Sequence, residues 1–222
     1  MIASLAVRLC LAFGLAFAAA GADAGDAQWT SHDYVDLYFR YYNGWVPLPH
    51  LREKESRALF GHLVDSGNIT YIEDAAIPDD EKLRQLRIIL AMLGEYRAAY
   101  NSAVIVGEPL TEELTLVQAY TLQVADHVAR LLRKSPDSGG SPAAWATLIE
   151  GVIESVGDNK LYSPVQSATL ADAIAIHYPA IAALLPENER RRLRAEVLKL
   201  SDASSDAPLR QARERMKRVV LQ

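Results

Sequence analysis

Glu150 and Glu154 stand four residues apart, with Ser155 directly after the second, and their spacing comes nearest to a catalytic pair of acids. On a helix, positions i and i+4 share a face. A carboxyl there works as a general acid only if it is shielded enough to hold its proton near neutral pH. Left in water, the same two groups are like charges on a solvated face. The five histidines are His32, His50, His62, His127 and His177. His50 with Glu53, and His62 with Asp65, have a spacing that would bring two metal ligands to one helix face. There is no H-E-x-x-H, no Glu-x-x-His, no G-x-S-x-G and no glycine-rich phosphate loop, since Gly94, Gly107, Gly151 and Gly157 stand alone. The sequence therefore predicts no metal site, no cofactor and no convergent catalytic set.

Two short motifs do resemble known enzymes. The glutamate–serine pair Glu154-Ser155 near a helix end is similar to the catalytic motif of lytic transglycosylases. That resemblance implies an enzyme acting on cell-wall glycan, with Glu154 as its single acid. The glycine-leucine-methionine-glutamine segment that follows in that family is absent, and Gln166 to Leu170 does not supply it. Asp137-Ser138-Gly139-Gly140 resembles the tetrapeptide around the nucleophile of trypsin-like proteases. Pro136 and Ser141 stand where that family has glycine and proline. Its double β-barrel is also a fold this chain cannot make, so a flexible linker is the better reading.

Binding chemistry is more visible than catalysis. Trp29, Tyr34, Tyr38, Phe39, Tyr41, Tyr42 and Trp45 put seven aromatics within 17 residues. One helix cannot point all of them inward. Tyr34, Tyr38, Tyr41 and Trp45 share a helical spacing and are expected to face the core, with Phe39 and Tyr42 turned away. Aromatics that keep a polar tip are favoured at protein interfaces. The other feature is charge. From Pro186 onward there are 10 Lys+Arg against 6 Asp+Glu, so a basic tail of +4 follows a more acidic body. Arg190, Arg191, Arg194, Arg213 and Lys217 are its expected basic surface. A basic helix with Leu209, Met216, Val219 and Val220 on its other side can lie on an anionic membrane or bind an acidic partner. The alternative is a face whose arginines pair with acids of the same domain.

Composition sets the class that must hold these groups. The chain has 222 residues, is 50% hydrophobic and carries a formal charge of −5, which excludes a disordered polyampholyte. The acidic balance argues against nucleic acid as a partner. One cysteine excludes an internal disulfide. That cysteine, Cys10, lies in the apolar run Leu9 to Ala20, which follows Arg8 and precedes Ala22-Asp23-Ala24. The order is that of a secretory signal, residues 1–24, with cleavage after Ala24 and Ala20 or Ala22 as alternative sites. Export to a periplasm would leave 198 residues without cysteine.

The remainder, 25–222, reads as one all-α domain of seven to eight helices packed as antiparallel hairpins, in an irregular repeat-like arrangement. A first helix is expected over Ser31 to Asn43, capped by Ser31, and a second over Arg52 to Asp65. Ile69 to Ile77 is short and β-branched and is compatible with one extended segment. Leu83, Leu86, Leu90, Leu93, Tyr96, Tyr100 and Val104 mark a long helix, and Leu114, Val117, Thr121, Val124, Val128 and Leu131 mark the next. A short turn makes these two an antiparallel pair. The loop at 134–141 is a possible subdomain boundary. Ser141-Pro142 and the capping box Ser163/Gln166 begin two further helices. Pro179 and Pro186 are expected to break the stretch after that, and two helices close the chain. The reading that follows is an exported, non-catalytic protein that binds another protein of the cell envelope, as an immunity or inhibitor protein or an accessory factor. A glycan-cleaving enzyme and a peripheral membrane protein are the alternatives.

Overall fold

The computed structural model describes residues 28–134, 141–157, 160–200 and 206–222. The expected signal, 1–24, and the tetrapeptide at 137–140 lie outside them. The described residues form eight α-helices and one 3-10 segment, with no strand. The helices are α1 (Ser31–Tyr42), α2 (Lys54–Leu63), α3 (Asp79–Ile105), α4 (Thr111–Lys134), α5 (Pro142–Val156), α6 (Pro164–Ala182), α7 (Glu187–Leu198) and α8 (Ala207–Val220). The all-α expectation therefore holds, and the fold is one all-helical domain.

The long stripes decide the packing. Every residue of the α4 stripe is buried, as is every residue of the α3 stripe except the half-buried Leu90. The two helices run antiparallel: Lys134 at the end of α4 pairs with Asp79 at the start of α3, at 3.5 Å. Gly107, with φ +95°, turns the chain between them. Beyond the 134–141 loop, α6 packs against α4, α5 and α8. Apolar residues from both sides of that loop join one continuous core, so the loop does not separate two cores.

Three local expectations are corrected. Thr30, not Ser31, caps α1: the Asp33 carboxylate accepts from both the Thr30 N–H and its hydroxyl, each at 2.7 Å. Ile69 does not begin an extended segment, because Ser66–Glu73 coil into a 3-10 helix that buries Asn68 and Ile69. Pro179 does not break α6, which continues to Ala182. A proline costs the hydrogen bond to the carbonyl four residues earlier. Here the burial of Tyr178, Ala180 and Ile181 keeps the last turn helical. The Ser163/Gln166 box forms as expected, with Ser163 N–H to Gln166 Oε1 at 2.8 Å.

Candidate functional site

The aromatic segment divides by burial. Tyr34 is fully buried, and Trp29, Tyr38 and Tyr41 are half-buried, so four of the seven rings belong to the core or its margin. Tyr34 cannot meet a partner, which corrects its place in the expected binding set. Phe39, Tyr42 and Trp45 remain, at 45%, 69% and 68% exposure. Trp45 was expected inside. It lies outside because α1 ends at Tyr42 and Gly44, at φ +72°, reverses the chain. The Trp45 N–H then donates to the Arg40 carbonyl at 2.9 Å, and the indole folds back edge-on to Phe39, with centroids 5.6 Å apart.

This face rests on a fixed base. Tyr42 stacks on Tyr38 at 6.4 Å, and Tyr38 meets Tyr96 of α3 edge-on at 5.3 Å. The Tyr38 hydroxyl donates to Glu95 at 3.2 Å. Burial, with the Glu95 charge beside it, pushes the Tyr38 phenol up to about 12, so it stays a donor at any ordinary pH. Ser31 bonds Gln85, Tyr38 bonds Glu95 and Tyr100 bonds the Pro49 carbonyl, so α1 and its following loop run along α3 in the same direction. The exposed rings therefore lie toward the same end of the molecule as Ile105 and Val106, which are also exposed.

The basic tail is mostly committed to its own domain. Arg190 and Arg194 reach Glu187 at 3.0 and 2.9 Å, Arg191 approaches it at 3.9 Å, and Arg192 reaches Glu150 on α5 at 3.2 Å. Arg215 grips Asp172 on α6 with two bonds of 2.8 Å. Arg213 is corrected outright: it is 3% exposed and donates to the Val156 carbonyl at 2.8 Å. Lys217 donates to the Leu200 carbonyl. Leu209, Met216 and Val220 are buried, so the apolar side of α8 is spent on the core and is not free for a bilayer. Among the described residues, no helix is long and apolar enough to cross a membrane.

The candidate chemistry is equally dispersed. Glu150 is ion-paired, and Glu154 is exposed at the end of α5, the reverse of the shielded position a general acid needs. Asp65 accepts from the Gly67 N–H, and His62 stacks on Trp29 at 5.5 Å. Among the described residues, no group of three or more His, Cys, Asp or Glu converges.

No family model, curated protein or solved structure matches this chain.

Two polar constellations were not legible in the sequence. The first joins α4 to α6: Asp126 accepts from His177 Nδ1 at 3.0 Å and from Arg130 Nε at 2.5 Å. The second gathers Gln118 of α4, Ser155 of α5 and Tyr162 of the following loop. Gln118 Nε2 lies 3.3 Å from the Ser155 hydroxyl, which lies 3.5 Å from the Tyr162 hydroxyl. The Ser155 hydroxyl donates to the Gly151 carbonyl at 3.0 Å. No single motif could have revealed either group, because each joins helices distant in the chain. Chemically, the molecule offers a cluster of exposed aromatic rings and, separately, a buried polar row of Gln118, Ser155 and Tyr162.

Proposed function

We propose that this chain is an exported, non-catalytic protein that binds another protein of the cell envelope through Phe39, Tyr42 and Trp45. The observation that carries this reading is the clustered exposure of three large aromatics, Tyr42 stacked on the half-buried Tyr38 and Trp45 packed edge-on to Phe39. Rings held in place lose little entropy on binding, and clustered Trp and Tyr supply most of the energy of many interfaces. An immunity or inhibitor protein, or an accessory factor for envelope assembly, fits this size and address.

The test is capture from periplasmic extract by the mature chain, compared with the Phe39→Ala/Tyr42→Ala/Trp45→Ala triple variant. A partner should be retained by wild type and lost by the variant, with affinity falling at least about thirtyfold for a hot spot worth about 2 kcal/mol. The variant should melt at the wild-type temperature, because these rings are outside the core. Equal capture by both proteins rejects the aromatic face. Export is checked on its own: the N-terminus of the protein recovered from the periplasm should be Gly25, and recovery only of a chain starting at Met1 in the cytoplasm rejects it.

A further inference from the structure

One stretch of the basic tail faces a cavity. Along α8, Arg210, Arg213, Glu214, Lys217, Arg218 and Leu221 line a space of about 500 Å³. Small-ligand sites are commonly about 300–1,000 Å³. The six positions recur every three or four residues, so they share one face of the helix. From Arg210 to Leu221 that face is about 16 Å long, at a rise of about 1.5 Å per residue.

The lining is biased in charge. Of the six described lining residues, four are cations and one, Glu214, is a carboxylate. Asp206, one turn before Arg210, is engaged at the N-cap, where it accepts the Leu209 N–H at 2.8 Å. Arg213 is buried, and its Nη2 donates to the Val156 carbonyl at 2.8 Å. Val156 takes one of the five N–H donors of that guanidinium. Lys217 Nζ donates to the Leu200 carbonyl at 3.1 Å. A carbonyl fixes a cationic head without cancelling its charge. Arg218 is exposed, and among the described residues it makes no hydrogen bond or ion pair, although Glu214 stands four positions before it. Arg213 has like charges three positions before it, at Arg210, and four after it, at Lys217. Like charges at that spacing repel, and an anion seated between them relieves the repulsion.

We infer that this face of α8 binds the phosphate of a phosphate monoester. Arginine forks match phosphate oxygens bidentately, and a monoester carries the multiple charge that a surplus of cations favours over a single carboxylate. Arg213 is the fixed charge in the wall, the exposed Arg210 and Arg218 close on the anion from either end, and Leu221 gives an apolar rim for the body of the ester. Leu209, Met216 and Val220 are turned into the core, so the ligand meets the charged side of the helix. The site is independent of the aromatic face. The bland rival is a solvated row of cations favoured by the negative end of the helix dipole.

The two are separated by calorimetric titration of the full chain at constant ionic strength. One arm uses glycerol 3-phosphate, and the other uses phosphatidylcholine vesicles containing phosphatidic acid. A single saturable site is expected, with a Kd at or below about 1 mM. Saturation by glycerol 3-phosphate assigns a soluble ester, and binding to the vesicles alone assigns a lipid headgroup. Arg210→Gln and Arg218→Gln change exposed residues, so both variants should fold, and each should weaken binding about tenfold, the worth of one charge-assisted bond. Glu214→Gln removes the carboxylate from the lining and should tighten binding. Lys54→Gln removes an exposed charge on α2 and should leave binding unchanged. Binding in neither arm, or an equal loss in Lys54→Gln and Arg218→Gln, overturns the site.

Discussion

Asn68→Ala is expected to destabilise the protein by about 3 kcal/mol, because it breaks a buried network at its centre. Asn68 is 0% exposed. Its Nδ2 donates to the His62 carbonyl at 2.6 Å and to the Tyr34 hydroxyl at 3.0 Å, while its Oδ1 accepts the Trp29 N–H at 2.8 Å. The Tyr34 hydroxyl lies 3.0 Å from the Leu63 carbonyl and 3.2 Å from the Tyr120 hydroxyl, which bonds the Asp65 carbonyl. One side chain thus ties the strand of chain before α1, the end of α2 and the 3-10 segment to α1 and α4. Burial pushes the Tyr34 phenol up to about 12, although Tyr120 and Asn68 bond to it. Removing the amide leaves the part-buried Trp29 N–H without its acceptor, and that desolvation is the larger part of the loss; the His62 carbonyl still accepts the Asp65 N–H at 3.3 Å. Tyr34→Phe deletes the hydroxyl but keeps the ring, and should cost about 1 kcal/mol. Because the two groups touch, the double variant should lose less than the sum. Urea denaturation measures all three. A loss below about 1 kcal/mol for Asn68→Ala would mean that water satisfies the network.

That network also shows where the sequence stops being readable. Period and capping are local, and they carried the fold: the α3 and α4 stripes, the Ser163/Gln166 box and the proline starts of α5 and α6 all appear as spelled. Most of what failed depended on contacts between distant segments, and one miss was local. Trp45 keeps the helical spacing of Tyr38 and Tyr41, yet Gly44 ends the helix before it and turns the indole outward. Arg213 belongs by type to a basic surface, yet an α5 carbonyl draws it inside. Pro179 carries a strong local stop signal, yet burial of its neighbours overrides it. The candidate sites are harder still. Asp126 and His177 lie 51 residues apart, and Gln118 and Ser155 lie 37 apart. Only the helix packing makes either pair a pair.

Asp126→Asn is the second large effect, expected at about 2 kcal/mol near neutral pH. The carboxylate is buried, and it is the bridge by which α4 holds His177 of α6. Burial alone would push the Asp126 carboxyl up. The hydrogen bonds from His177 and Arg130, with their charges, outweigh that and hold it below the usual aspartate range. A group whose folded pKa is depressed stabilises the fold above its unfolded value and loses that contribution as the pH falls through its folded value. The gap between wild type and Asp126→Asn should therefore be complete above about pH 4, the ordinary aspartate value, and close as the pH drops further. Urea midpoints taken from pH 7 downward test this, and a gap that stays constant into strong acid would show that shape, not charge, is what Asp126 contributes. The variant should also leave the aromatic face intact, because Tyr42 is seated on α3 through Tyr38, Phe39 and Trp45 pack on each other, and none of these contacts involves α6. Weaker α6 docking with undiminished partner capture would place the tether and the binding face in separable parts of one fold.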